Sequence, residues 1–274
     1  MRRKLGQSLC IGIEPGAVSL LRVSRWSKAA PEVLAEQSFA SGSGAAALES
    51  LGAALRELLS AQDVGGWPVS FVLADELTRL WQVNPPAQAA RVADLEAAAM
   101  LRFHALFGET PAAWDVTADW NADQPFFAAA MPRALKALLA QVAAERRLAV
   151  TCIVPHFISV WNRWHKALKP NAWFGVMHGS VMMLAAIEER KLRAVRTVPV
   201  PHGADHYWLT QMAQREALLF DMQTPQLIQL AGAVPAALAK PATQDGHVTT
   251  MQLGAGQGEG LSNASLLACA GGAA

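Results

Sequence analysis

Three stretches of this 274-residue chain gather residue types that could do chemistry. The first is "IGIEPG", residues 11–16, where a Gly, an acid and a second Gly lie between two apolar runs. Backbone N–H groups of such a turn can cradle a phosphate, and a carboxylate beside it can hold a metal. A glycine turn can equally do no more than reverse the chain, and a solvated turn acid is the commoner role for a residue such as Glu14. The second stretch is "PHGADH", whose His202 and His206 have the i, i+4 spacing of helical metal ligands. Gly203 between them and the lack of a nearby third ligand favour another reading, a helix start capped by Asp205. The third is "GAGQGEG", residues 254–260, with glycine at every second position. That spacing matches neither a P-loop ending in GK[ST] nor the Rossmann G-x-G-x-x-G, so it reads as a flexible connection.

Nucleophiles fare no better. Ser19, Ser70 and Ser180 have no G-x-S-x-G setting. His156 and His165 are too far apart for one helical face. The three cysteines, Cys10, Cys152 and Cys269, are distant in sequence and form no C-x-x-C. Cys10 and Cys152 lie in apolar strand-like runs, where a thiol acts as a small hydrophobe, and a buried Cys10 without a local base is no nucleophile. An odd, scattered set of cysteines fits a reducing compartment.

The elements that would position these residues follow a repeated order. "SLCIGIE", "GAVSLLRVSR" and "PEVLAEQSFA" form a three-strand meander, followed by the "SGSG" linker. A helix then carries Leu48, Leu51, Leu55, Leu58 and Leu59 on one face. Val69 to Leu73 is a buried strand, and "LTRLWQV" is a strand that "NPP" terminates. Residues 85–124 read as a small inserted α/β element, comprising a helix over 87–107 with Val92, Leu95, Ala99 and Phe103 on one face, then the strand "WDVTADW". "PFFAAAMP" and "AVTCIVP" read as buried strands flanking a helix, and alternation of this kind predicts a largely parallel, helix-covered sheet. From Trp173 the pattern restarts: "WFGVMHG", "SVMMLAAIEE" and "KLRAVRTVPVP" form a second meander, followed by the helix "HYWLTQMAQREALLF" and the strand "PQLIQLAG".

Composition narrows the function classes. The chain is 52% apolar, with 23 basic and 22 acidic residues and no basic stripe, so nucleic acid is not the expected partner. "MRRKLGQSLCIGIEPG" opens like the basic part of a leader, but Gln7, Glu14 and Pro15 interrupt its apolar run. No run of ~18 apolar residues predicts a membrane-spanning helix. The expectation is a cytoplasmic protein.

Two βββαβ halves, each opening on a glycine turn, resemble the actin-like (ribonuclease H-like) ATPase superfamily. Within it the chain is most similar to the PilM family of pilus-assembly proteins and the related cytoplasmic domains of GspL and MSHA-type pilus proteins. "IGIEPGAVSLLRV" lies where that family has IGID-x-G-x-x-x-(I/L)-K. "WFGVMHGSVMMLAAIEERKLRAVRTVPVP" matches the second hairpin, and "LIQLAG" the adenosine-side strand with its glycine turn. The insert falls where FtsA and PilM carry theirs. The resemblance implies an α/β fold of duplicated βββαβ lobes. The first spans 1–170 with the insert at about 85–124, and the second, reduced lobe spans 171–274.

The resemblance places nucleotide-cleft positions at Gly12, Glu14, Gly16, Ser19, Gly179, Ser180 and Gly232. Several depart from the family pattern. Glu14 replaces an Asp, Pro15 removes a backbone donor, and Met177 stands where the second hairpin should carry an acid; Arg22 falls near the family's Lys or Gln. No catalytic residue and no metal ligand is assigned. The cofactor is either none or ATP with magnesium in a degenerate cleft. The implied function is that of a non-catalytic scaffold of a type IV pilus or type II secretion-like platform, peripheral to the inner membrane. It would bind the cytoplasmic tail of a PilN-like bitopic protein, with Phe103, Trp114 and Trp120 as candidate groove aromatics, although core packing is the favoured role of each. Self-association is a further expectation. The alternative is a working ATPase or small-molecule kinase of the same fold.

Overall fold

The computed structural model describes residues 6–24, 31–189, 191–239, 248–254 and 260–271. The basic start at 1–5, Arg190 of the second hairpin's far turn, and residues 255–259 of the glycine-rich loop lie outside them. The chain divides into two units, between His156 and Phe157, and returns to the first at Leu267. The expectation from sequence puts that boundary at 170/171 and leaves the C-terminus in the second lobe.

The first unit is built on a five-stranded sheet of order β3-β2-β1-β4-β8. Its strands are β1 (Gln7–Glu14), β2 (Ala17–Ser24), β3 (Glu32–Ser38), β4 (Pro68–Leu73) and β8 (Ala149–Pro155). The meander β1–β3 is antiparallel, while β1, β4 and β8 run parallel. One face of the sheet, with Leu9, Ile11, Val18, Leu20, Phe71 and Leu73, packs on helices α1 (Gly44–Ser60) and α3 (Arg133–Glu145) through Leu51, Leu55, Leu59, Leu135 and Leu139. The other face, with Cys10, Leu21, Val23 and Val72, is covered by Leu267 and Ala268 of α7 (Asn263–Gly271). Coverage on both faces explains why β1 is an unbroken apolar run.

Two strands differ from their expected settings. "AVTCIVP" forms β8, yet Ala149 to Cys152 are exposed and Val150 is 42% accessible. It is an edge strand, and an apolar run alone does not distinguish edge from centre. "PFFAAAMP" forms β7 (Phe126–Pro132), which leaves the main sheet and lies between β5 (Arg79–Val83) and β6 (Trp114–Ala118) in an antiparallel sheet of its own. Its alternating burial shows one covered face, packed on α2 (Val92–Phe107). The insert therefore extends beyond 85–124 to include both flanking strands. Helix α2 begins at Val92 rather than at 87, because the Asp94 carboxylate accepts from the N–H of Arg91 at 3.0 Å and of Ala90 at 3.2 Å. Leu95, Ala99 and Phe103 of its expected face are buried, whereas Val92 is 53% exposed.

The second unit repeats the strand order as β11-β10-β9-β12-β13. The strands are β9 (Trp173–His178), β10 (Val181–Glu188), β11 (Lys191–Pro199), β12 (Leu227–Gly232) and β13 (Thr249–Gln252). Short β13, parallel to β12, has no counterpart among the strands expected from sequence. Helices α5 (His206–Leu219) and α6 (Ala236–Ala239) cover one face through Leu209, Met212, Ala213 and Leu238, and α4 (His156–Trp164) puts Phe157 and Trp161 against Phe174. The Asp205 side chain caps α5 by accepting from Trp208 N at 2.9 Å. His202 precedes the helix, so it and His206 do not share a helical face. No helix among the described residues is long and apolar enough to cross a membrane.

Candidate functional site

Ligands of open α/β sheets gather at the carboxyl ends of the parallel strands. In the first unit that end is formed by Glu14, by Ala74-Asp75 after β4, and by Pro155-His156 at the end of β8. Glu14 pairs with Ala17 across a two-residue turn made of Pro15 and Gly16. Gly16 has φ +99°, the conformation a Pro-Gly reversal requires, and a Cβ there would stand 2.5 Å from Ser41 Oγ. The Gly16 carbonyl accepts from Phe39 N at 2.8 Å, tying the turn to the end of the third strand. Pro15 donates nothing. Gly12 lies within β1 opposite Ser19, whose side chain is wholly buried and is not presented to solvent.

The same edge holds a pair that sequence reasoning missed. Ala74 N donates to Ile13 O at 2.8 Å, which sets Asp75 just beyond Glu14 in register. Asp75 Oδ2 stands 3.7 Å from His156 Nδ1, with side chains 6% and 4% exposed. The available signal was positional: "LAD" and "VPH" each place a polar residue directly after a parallel strand. Asp75 is thus a second carboxylate in the unit, turned inward toward an imidazole.

In the second unit, the His178–Val181 reversal uses Gly179 at φ +55° and exposed Ser180. Beside it, Gly232 ends β12 in parallel register with Met177. At φ +88°, a Cβ on Gly232 would fall 2.2 Å from Met177 O, and Ala233 N donates to that carbonyl. The structure therefore brings Gly179, Ser180 and Gly232 to one end of one sheet, as it brings Gly12, Glu14, Gly16 and Ser19 together in the other unit. The second turn offers backbone and hydroxyl groups but no carboxylate.

Nucleotide chemistry on this fold needs acids that can reach a magnesium ion. The donor set does not fit it well. Glu14 is half-buried beside a turn lacking one N–H, Asp75 faces His156, and the second turn carries Met177 and His178. Among the described residues, no three His, Cys, Asp or Glu side chains converge in a metal-holding group.

The insert supplies a separate aromatic cluster. Phe103 is fully buried and Trp114 is 7% exposed. Their rings meet at a tilt of 54° with centroids 5.4 Å apart, and Trp81 and Phe107 join them. The Arg79 guanidinium lies 5.0 Å from the Trp114 ring and bonds Glu109 at 2.8 Å. Phe103 and Trp114 thus build the insert's core and form no open groove wall. Trp120, at φ +42°, is half-buried and packs on Phe126.

Cysteines distant in sequence fall in one row across the sheet. Cys10 and Cys152 both pair with Ser70 across β4, and Cys269 packs beside Cys10 from α7. Burial, reinforced by the neighbouring thiols of Cys152 and Cys269, pushes the Cys10 thiol up to about 12, so it carries no nucleophilic thiolate at neutral pH.

No protein-family model matches the chain, and no curated protein matches it in sequence. Solved structures do match. The cytoplasmic domain of EpsL, an inner membrane component of the type II secretion system of Vibrio cholerae, gives a TM-score of 0.59 at 13% identity, over 95% of this chain and 92% of that one. A chain of the PilM–PilN type IV pilus biogenesis complex gives 0.57 at 17% identity, over 87% and 84%. A Bacteroides thetaiotaomicron protein with an actin-like ATPase fold and unknown function gives 0.56 at 10% identity, over 84% of each chain. Two sheets of identical strand order, a separate insert sheet in the first unit and these likenesses lead to one conclusion: the chain has an actin-like ATPase fold, similar to those of the EpsL cytoplasmic domain and the PilM–PilN complex.

Proposed function

We propose that this protein is a non-catalytic assembly subunit of a bacterial type IV pilus or type II secretion-like platform, working in the cytoplasm at the inner membrane. One observation carries the reading. Both glycine turns keep their chain-reversing geometry, while the second carries no carboxylate and, in the first unit, Asp75 is turned inward to 3.7 Å from His156, leaving Glu14 at the turn itself. The likeness to EpsL and to the PilM–PilN complex supports the choice of assembly. The partner is the cytoplasmic tail of a PilN-like bitopic membrane protein, held by strand or groove contacts in the first unit beside the insert. Trp120 is the aromatic within reach of such a tail, with Phe103 and Trp114 as rigid backing. Titrating tail peptides of bitopic proteins encoded beside this one tests the reading. It requires a saturable complex weakened by Trp120→Ala, and absence of binding to every such tail overturns it.

Asp75 keeps a second reading in view, that of an ATP-dependent ATPase or kinase with magnesium. If that reading is right, magnesium-dependent turnover will be measurable and will disappear in both Glu14→Ala and Asp75→Asn. Undetectable nucleotide binding at millimolar ATP retires it.

A further inference from the structure

The second sheet ends on β11, and among the described residues no strand pairs with its outer edge. Val200 N donates toward β10, to Ser180 O at 2.8 Å. Backbone groups alternate direction along an antiparallel strand, so Val198 and Arg196 also face β10 while Thr197 and Val195 face outward. Pro199 belongs to the outward set, where its missing N–H costs no ladder bond. The edge is therefore a short template of backbone donors and acceptors.

Beside it, α5 leaves an open groove of about 430 Å³ lined by Val198, Pro199, Trp208, Gln211, Met212 and Arg215. The charge on its rim is unbalanced. Arg196 Nε stands 3.5 Å and Arg215 Nη2 3.0 Å from the carboxylate of Glu216. That carboxylate is 3% exposed, whereas the two guanidinium side chains are 52% and 73% exposed. One buried anion thus serves two solvent-facing cations. Strand β11 adds Lys191 and Arg193, the latter matched by Glu188, and contains no acid. A second copy presenting the same edge would set arginine against arginine, which disfavours self-pairing here.

We propose that β11 and α5 form a docking site for an extended, acidic segment of a partner protein. The segment adds a strand to β11 through the outward groups of Val195 and Thr197. Every second side chain of the segment faces α5, as Arg196 and Val198 do, and this one set puts apolar groups into the Trp208–Met212 groove and carboxylates against Arg196 and Arg215. This site lies in the second unit and does not depend on the tail site proposed beside the insert.

The test uses the whole chain and a fluorescent nine-residue peptide, Glu-Thr-Leu-Thr-Val-Thr-Glu-Thr-Glu, whose odd positions share one face, followed by anisotropy. Saturable binding is expected. It should weaken about tenfold or more in Trp208→Ala, at a half-buried position, and in Arg215→Glu, at an exposed one. Methylating alternate peptide nitrogens should abolish it, and replacing the acids by lysine should do the same. Three results overturn the proposal: no saturable binding; binding indifferent to Trp208→Ala and to nitrogen methylation, which means charge adsorption only; or a dimer in sedimentation that Arg215→Glu dissolves, which means a second copy is the occupant.

Discussion

Gly232 has a backbone reason to be glycine. Any Cβ there meets the Met177 carbonyl at 2.2 Å from a left-handed backbone. Gly232→Ala should therefore destabilise the second unit by about 1–3 kcal/mol, read as a lower melting temperature. Met177→Ala cannot relieve the loss, because the clashing atom is main chain. The cysteines give a second test at this scale. Cys152 is exposed, whereas Cys10 is buried with its thiol pushed up to about 12. Iodoacetamide at pH 8 should modify Cys152 in the native protein and reach Cys10 only on unfolding, as peptide mass mapping would show. Neither the Cys10–Ser70–Cys152 row nor the Asp75–His156 pair was legible in the sequence. Both arise from parallel strands β1, β4 and β8, whose register no local pattern encodes.

Among the elements, helices α1 and α3 are joined on their exposed side by Arg56 and Glu145. Arg56 Nε and Nη2 donate to the two Glu145 oxygens at 2.8 and 3.0 Å. The Arg56 hydrogen bonds, then that from Gln141, hold the Glu145 carboxyl down at about 2. A carboxyl depressed in the folded state contributes stability above its ordinary value of 4.5, and that contribution is lost as pH falls toward 2. Glu145→Gln should flatten this part of the acid unfolding curve, followed by circular dichroism between pH 5 and 2. Solvent screening keeps the effect small, as for any exposed pair. Elements were the most readable level of the sequence: the leucine spacing of α1, the Asp205 cap and both meanders follow from local patterns. The edge position of β8 and the departure of β7 to the insert sheet were not readable, since burial depends on which neighbour a strand finds.

For the molecule as a whole, the duplication could be read from the order of elements alone, and two sheets of equal strand order confirm it. The late return of the chain could not be read, because the apolar stretch near the C-terminus carries no mark of which sheet it covers. Leu267 is fully buried against Val72 and Ala74. Leu267→Ala should cost about 2–5 kcal/mol, and the loss should appear in the first unit. Hydrogen exchange at β1 and β4 should rise while that at β9 and β12 is unchanged; equal loosening of both sheets contradicts this placement.

That helix also bears on synthesis. Residues 157–266 emerge from the ribosome after the first unit's sheet and before the helix that covers Cys10, Leu21, Val23 and Val72. At ~5–20 residues per second, the nascent sheet waits roughly 5–20 s with one apolar face bare. During that interval the face is a substrate for holdase chaperones, so ribosome-bound chains stopped before residue 267 should recruit them, and chains lengthened by a linker that carries residue 271 clear of the exit tunnel should release them.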